Sequence, residues 1–273
     1  MVRIRPRQGF SLLELLVSIA IVAILLSMLI PLLARARDTA YKAVCSNNLR
    51  QMSVGWLGYV QDHNDTFPAP SALPEWTYGG VRFQTMAGGV AGVDLSPVLD
   101  TTRPINRYLS NELGTTADSA GQGTNAAAAA GRDLAKIFHC PSDAGVFEVA
   151  ASGARGQRLS VLGQAGGLTC YEFFGNSYRA NPNLFMSVES QDKQRDSRPM
   201  RMHDIMIDTS RFLITGDPVW FHATQLAGSS GANTDASWHR EYRAGNFLAS
   251  DGSIRFTNFA TSRGVDFELL PRH

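Results

Sequence analysis

Between Phe10 and Leu33 the chain runs for 24 residues with a single charge, Glu14. Wound into an α-helix at about 1.5 Å per residue, this run is roughly 36 Å long. That length suffices for a bilayer core of about 30 Å. Ahead of it stand nine residues holding Arg3, Arg5 and Arg7 and no acidic side chain. Positive charge resists translocation, so the leader is expected to stay in the cytoplasm and the bulk of the chain to lie outside. The N-terminus therefore reads as membrane-inserting, with one definite polarity.

Glu14 needs its own account. It is the fifth residue from Phe10, which places it roughly 6–8 Å below the start of the apolar helix. A charge at the bilayer centre costs about 2.5–3.5 kcal/mol on insertion scales, and less near the interface. Either the carboxylate reaches the headgroups, or it awaits a positive partner inside an assembly. An ionisable group within a membrane segment is a functional hypothesis by default.

Gly9-Phe10, three residues, then Glu14, behind a basic leader and before about twenty apolar residues, resembles the class III signal of type IV pilins and pseudopilins. The resemblance implies that a prepilin peptidase cuts between Gly9 and Phe10 and that the new N-terminal Phe10 is methylated. It places Glu14 at the family's acidic position, the partner in an assembly salt bridge, and Pro31 where many pilins carry a helix-distorting proline. The rival is a secretory signal, which needs a small-residue cleavage site after its apolar core. Ala34-Arg35-Ala36 is a poor version of one, and helical periodicity continues across it.

The chain has 273 residues and a formal charge of +1; losing Arg3, Arg5 and Arg7 would take the side chains to −2. No basic field remains to hold nucleic acid by bulk charge. About 240 residues lie beyond the membrane segment, enough for a real core. Cysteine is sparse and odd in number: Cys45, Cys140 and Cys170. Outside the cytoplasm one disulfide is expected. Joining Cys140 to Cys170 would close a loop of about 30 residues and contribute roughly 3–4 kcal/mol. Cys45 with either partner would instead tie the long helix to the head, and three reduced thiols are the remaining alternative.

Helical pattern continues past Leu33. Ala36, Ala40, Val44, Leu49, Met52, Trp56 and Tyr59 recur at spacings of three to five among polar neighbours. The expectation is one helix from Phe10 to about Gln61, weakened by Gly55 and Gly58 and stopped by Asp62-His63-Asn64-Asp65. The parts are then a leader at 1–9, a transmembrane and assembly half at 10–33, an amphipathic half at 34–62 and a head at 63–273. Trp76, Tyr78, Val81 and Phe83 suggest a strand turning at Gly79-Gly80. Residues 115–130, with five consecutive alanines, are low-complexity. Arg211–Thr215 reads as a buried strand entering Gly216-Asp217-Pro218. Two apolar runs then flank Asp251-Gly252, a hairpin turn with both residues at positive φ. Opposing Ser250 to Ser253 pairs Ala249 with Ile254 and Phe247 with Phe256, which gives one apolar face.

The fold class is thus α+β: a long N-terminal helix, its inner half transmembrane, with an antiparallel β-sheet head on its outer half, which is also what the pilin resemblance implies. Further segments resemble a bacterial subfamily of large pilin-like proteins: Cys45-Ser-Asn-Asn-Leu-Arg-Gln, Phe138-His-Cys-Pro-Ser-Asp143, Ser177-Tyr-Arg-Ala-Asn181 and a C-terminal His followed by Asp-Gly. That subfamily has nine residues between its His and Asp-Gly; here eleven separate His239 from Asp251.

Chemistry is thinly represented. Asp62, Asn64 and Asp65 form an oxygen-rich cluster and a candidate for calcium, but without the glycine turn and distal glutamate of an EF-hand. A helix C-terminus also repels anions, which favours turn-forming residues with no metal. His222, His239, Asp217 and Asp251 are the His/Asp set that could converge, yet none has zinc-hydrolase spacing, and no nucleophile elbow or phosphate loop occurs. The chain is expected to be no enzyme and to need no cofactor. The resemblance implies a single-pass inner-membrane subunit with a periplasmic head. Its partners would be prepilin peptidase, other pilin or pseudopilin subunits, an assembly platform and lipid, and its destination a type IV pilus or type II secretion pseudopilus. The alternative is a membrane-anchored or minor-pilin module whose head binds an extracellular ligand.

Overall fold

The structure, a computed structural model, describes residues 12–68, 77–83, 97–100, 102–110, 135–143, 169–185, 199–205, 208–225, 238–262 and 266–269. Gly9, Phe10, Trp76 and the run 115–130 lie outside them. The chain divides into two units, Met1–Ala40 and Tyr41–His273.

Helix α1 spans Leu12–Asp62 without a break and contains Pro31. In the first unit its apolar side chains are exposed: Leu12 by 81%, Leu25 by 62% and Leu33 by 65%. The hydroxyls of Ser18 and Ser27 donate back to the carbonyls of Leu15 and Ile24, at 2.8 and 2.7 Å. Backbone and hydroxyl groups are thereby satisfied within the segment, as a helix in lipid requires. By length and composition it can cross a membrane.

Along α1 the buried stripe begins later than the periodicity predicts, within the second unit. Ala36 and Ala40 are exposed and Val44 is 45% exposed, whereas Cys45, Asn48, Leu49, Met52, Trp56 and Val60 are buried. The stripe is displaced because Cys45 and Asn48, polar by type, are tied into the head by a covalent bond and hydrogen bonds. Trp56 packs on Tyr78, ring centroids 4.7 Å apart, and on Phe67 at 6.1 Å. Gly55 and Gly58 have a packing role as well as a helical cost. A Cβ would stand 3.2 Å from Ile105 and Leu109 at Gly55, and 2.9 Å from Tyr108 at Gly58. Both positions admit helix α2, Asn106–Ser110.

The head carries strands β1 (Val81–Phe83) and β2 (Pro97–Leu99), paired antiparallel. The strand expected around Tyr78 to Phe83 thus starts after the two glycines. Helix α3 (Cys170–Phe174) precedes β3 (Arg179–Ala180), β4 (Leu213–Gly216), helix α4 (Val219–Gln225), β5 (Ala244–Ala249) and β6 (Ile254–Asn258). The last four strands form one antiparallel sheet in the order β3-β4-β5-β6. All of β4 and β5 is buried, as two central strands should be.

The β5–β6 register differs from expectation by one residue. Leu248 opposes Ile254, Phe247 opposes Arg255 and Asn246 opposes Phe256. Only Gly252, at φ 84°, has positive φ; Asp251 does not. Gly252 N–H donates to the Ala249 carbonyl and Ala249 N–H to that of Ser253. The connection is therefore a three-residue turn ending in a left-handed glycine bulge, which consumes one more residue than a two-residue turn. A one-residue slip exchanges faces. Phe247 joins Phe259 and Phe267, at centroid distances of 6.2 and 6.1 Å. Phe256 falls on the other face, 39% exposed, under the ammonium of Lys42.

The disulfide is one of the pairings the sequence left open, and not the Cys140–Cys170 candidate. It joins Cys45 to Cys140, with Cα atoms 5.2 Å apart, rather than Cys140 to Cys170. Cys170 keeps its thiol and is buried at the start of α3. The physical reason is local. Asp143 accepts from the backbone of Cys170 and Tyr171, at 3.0 and 2.9 Å, so a carboxylate rather than a sulfur links the 140 segment to α3.

Candidate functional site

Two regions carry polar chemistry in settings that require explanation. At the N-terminus Glu14 occupies the first turn of α1 and is exposed. A carboxylate there complements the positive end of the helix dipole. Gly9 and Phe10, the predicted cleavage and methylation positions, lie outside the described residues.

The second region surrounds the Cys45–Cys140 bond and brings together three segments distant in sequence. Asn48, one turn after Cys45, donates to the His139 carbonyl at 2.9 Å and to the Tyr178 hydroxyl at 3.1 Å. The hydroxyl of Ser177 accepts from Cys140 N–H at 3.0 Å and donates to Asp143 at 2.6 Å. Tyr78 donates to the Tyr178 carbonyl at 3.1 Å and meets the Thr215 hydroxyl at 2.8 Å. Burial pushes the phenols of Tyr78 and Tyr178 well above their ordinary pKa, with the Asp217 carboxylate adding to the effect on Tyr178. Burial alone pushes Tyr171, beside this network, up to about 12. Neutral phenols here serve as hydrogen-bond donors.

On the other side of the disulfide stand Asp217 and His239. Asp217 leaves the end of β4, and its Oδ2 accepts from the Asn246 backbone at 2.6 Å and the Asn246 amide at 3.2 Å. Nε2 of His239 lies 3.1 Å from the same oxygen, and both side chains are fully buried. His239 adopts φ 57° and ψ 21°, and Arg240 and Arg243 are likewise left-handed at φ 55° and 54°. Such a conformation costs a non-glycine residue roughly 1–2 kcal/mol, and such strain gathers where surrounding structure over-determines a position. Among the described residues, Nδ1 of His239 and Oδ1 of Asp217 are buried without a hydrogen-bond partner. The ligand atoms of Cys45, Cys140 and His239 all lie within 4.8 Å of one another.

Of the His/Asp set, the fold thus brings together Asp217 and His239 among the described side chains. Asp251 sits exposed in the β5–β6 turn, where its Oδ1 accepts from Ser253 N–H at 2.8 Å. The His222 side chain lies outside the described residues. Asp62, Asn64 and Asp65 are exposed at the end of α1, with Asn64 and Asp65 left-handed at φ 51° and 60°. Asn48, Ser177 and Tyr178 lie in segments that carry the subfamily resemblance, which gave them no site role, and Asn246 was not singled out in the sequence. An Asn in the middle of a wholly buried strand was the available signal for Asn246.

Comparison with known families gives two matches. The model described as the prokaryotic N-terminal methylation motif matches residues 4–30. The model described as a protein of unknown function, DUF1559, matches residues 34–241. No curated protein and no solved structure matches the chain.

Proposed function

Because the chain belongs to the DUF1559 family and is pilin-like, with a class III N-terminal methylation motif, we propose that it is a structural subunit of a type IV pilus or type II secretion pseudopilus. The observation that carries this reading is a coincidence. The motif at 4–30 runs into a helix whose apolar side chains are exposed from Leu12 to Leu33. So long an apolar face must be covered by lipid or by neighbouring helices. The helix supplies a membrane anchor before assembly and a packing surface within a filament.

In this reading a prepilin peptidase cuts after Gly9 and Phe10 is methylated. The three leader arginines hold the N-terminus in the cytoplasm, so the head lies beyond the inner membrane. A buried disulfide suits that compartment. An inner-membrane platform would then dock the subunit on others of its kind, with Glu14 opposite a neighbour's Phe10 amine. The role is structural rather than enzymatic.

The test is to shear cells, fractionate them and determine the mature N-terminus by mass spectrometry. N-methylated Phe10 in a sheared filament fraction is the expected result. An intact Met1 terminus, or cleavage near Ala36, would overturn the proposal. Copy number in the same fraction separates a bulk subunit from a minor component.

A further inference from the structure

We propose that the reduced head binds one zinc-class divalent cation through the sulfurs of Cys45 and Cys140 and Nδ1 of His239, so that a metal can take the place of the disulfide. Three observations converge. The sulfurs of Cys45 and Cys140 and a ring nitrogen of His239 lie within 4.8 Å of one another, and all three residues are buried. Around a tetrahedral zinc, bonds of about 2.3 Å to sulfur and 2.0–2.1 Å to nitrogen put neighbouring donors roughly 3.5–3.8 Å apart. Small side-chain movements therefore separate the present cluster from a ligand set.

The second observation is the state of the imidazole. Its Nε2 already meets Asp217, while Nδ1 is buried without a hydrogen-bond partner among the described residues. Metal-binding histidines almost always give their other ring nitrogen to a carboxylate or carbonyl, which fixes the tautomer and raises ligand basicity. Asp217 is held for that task by the Asn246 backbone N–H at 2.6 Å. With Nε2–H donating to Asp217, the Nδ1 lone pair is available to a cation. The third observation is the left-handed backbone of His239, which holds the ring against the disulfide at a conformational cost.

The chemistry balances without an unnamed partner. Before oxidation both cysteines are thiols; the cation replaces their two protons, forming two metal–thiolate bonds, and neutral imidazole supplies the third donor. From the oxidised protein, a phosphine reductant breaks the sulfur–sulfur bond; with one water it becomes the phosphine oxide, leaving two thiols. Two thiolates and an imidazole form a soft set that suits zinc over magnesium or calcium. Metal and disulfide are then alternative ties between α1 and the head.

The experiment uses full-length protein in detergent, reduced with phosphine under argon and titrated with cobalt(II) alone, then with zinc(II) alone. With water as the fourth ligand, one equivalent of cobalt should raise thiolate-to-metal charge transfer and the visible bands of a tetrahedral site, and zinc should displace it. Oxidised protein should give neither signal. Cys170→Ser should bind as wild type does, and His239→Ala should bind at least tenfold more weakly. Asp217→Asn should bind about 10–100-fold more weakly. A reduced wild type without charge transfer would overturn the proposal. So would loss of the bands in Cys170→Ser, which would transfer the site to the third thiol. Both of those outcomes are read without the His239 and Asp217 variants, so they hold even if those variants fail to fold.

Discussion

Nε2 of His239 stands 3.1 Å from Oδ2 of Asp217, with both side chains excluded from solvent. That oxygen also accepts from Asn246 N–H, so one carboxylate atom holds the end of β4, the start of β5 and the residue between them. Asp217→Ala should lower head stability by about 3 kcal/mol or more, since buried donors left unpaired cost about 1–3 kcal/mol each. Denaturant unfolding of wild type and variant measures it. A change below about 1 kcal/mol, the low end of that range, would mean that water replaces the carboxylate.

The Cys45–Cys140 bond spans 95 residues of sequence. Replacing both cysteines by serine should destabilise the head by about 4.7 kcal/mol on the chain-entropy account. Peptide mapping without reduction should recover Cys45 linked to Cys140; recovery of Cys140 linked to Cys170 would contradict the structure.

Gly252 has φ 84°, and a Cβ there would lie 3.3 Å from Leu57 of α1. Gly252→Val should cost more than about 1 kcal/mol from the left-handed backbone alone. Thermal unfolding checks this, and unchanged stability would refute the bulged turn.

Tyr78, Tyr171 and Tyr178 have raised pKa values because burial disfavours phenolate. Below the unfolded pKa near 10 both states hold these protons, and stability does not depend on pH through them. Above it the unfolded chain ionises while the folded phenols keep their protons, so stability falls as pH rises from about 10 toward 12. Each such group contributes a slope of up to about 1.4 kcal/mol per pH unit. Urea midpoints from about pH 8, below the phenol range, to about pH 11.5 within it should show the loss. Tyr178→Phe should make it shallower.

Glu14→Val removes a charge from the apolar helix and should raise membrane retention. It should still be processed after Gly9, yet enter sheared filaments poorly, because no carboxylate would meet the neighbour's amine. Desolvation offsets much of such a pair's gain, so the expected effect is on docking order. Co-expression with wild type and quantitation in the filament fraction tests it; equal incorporation would leave the apolar surface as the whole basis of assembly.

Features set by composition over many residues were readable in advance. The helix over Leu12–Asp62 and the buried strand at Leu213–Gly216 arise from apolar runs and their periods. The β5–β6 hairpin was legible but its register was not, because one left-handed residue rather than two changes the count by one. Asp217 and His239 were singled out, yet their convergence depends on how β4 and β5 align, which no local pattern encodes. Cys45 offered no spacing cue, since its partner arrives from 95 residues away.

The position of that sulfur bridge has a mechanical consequence. Cys45 is the first fully buried residue of α1, and the buried stripe beyond it on the helix is packed into the head. Tension applied to the helix from its N-terminal half reaches the head through a covalent junction at residue 45. The hydrogen bonds and ring contacts from Asn48 to Val60 are shielded from it. Peeling would otherwise begin at this end of the stripe, one contact at a time; the bridge instead makes a pulled chain fail elsewhere first.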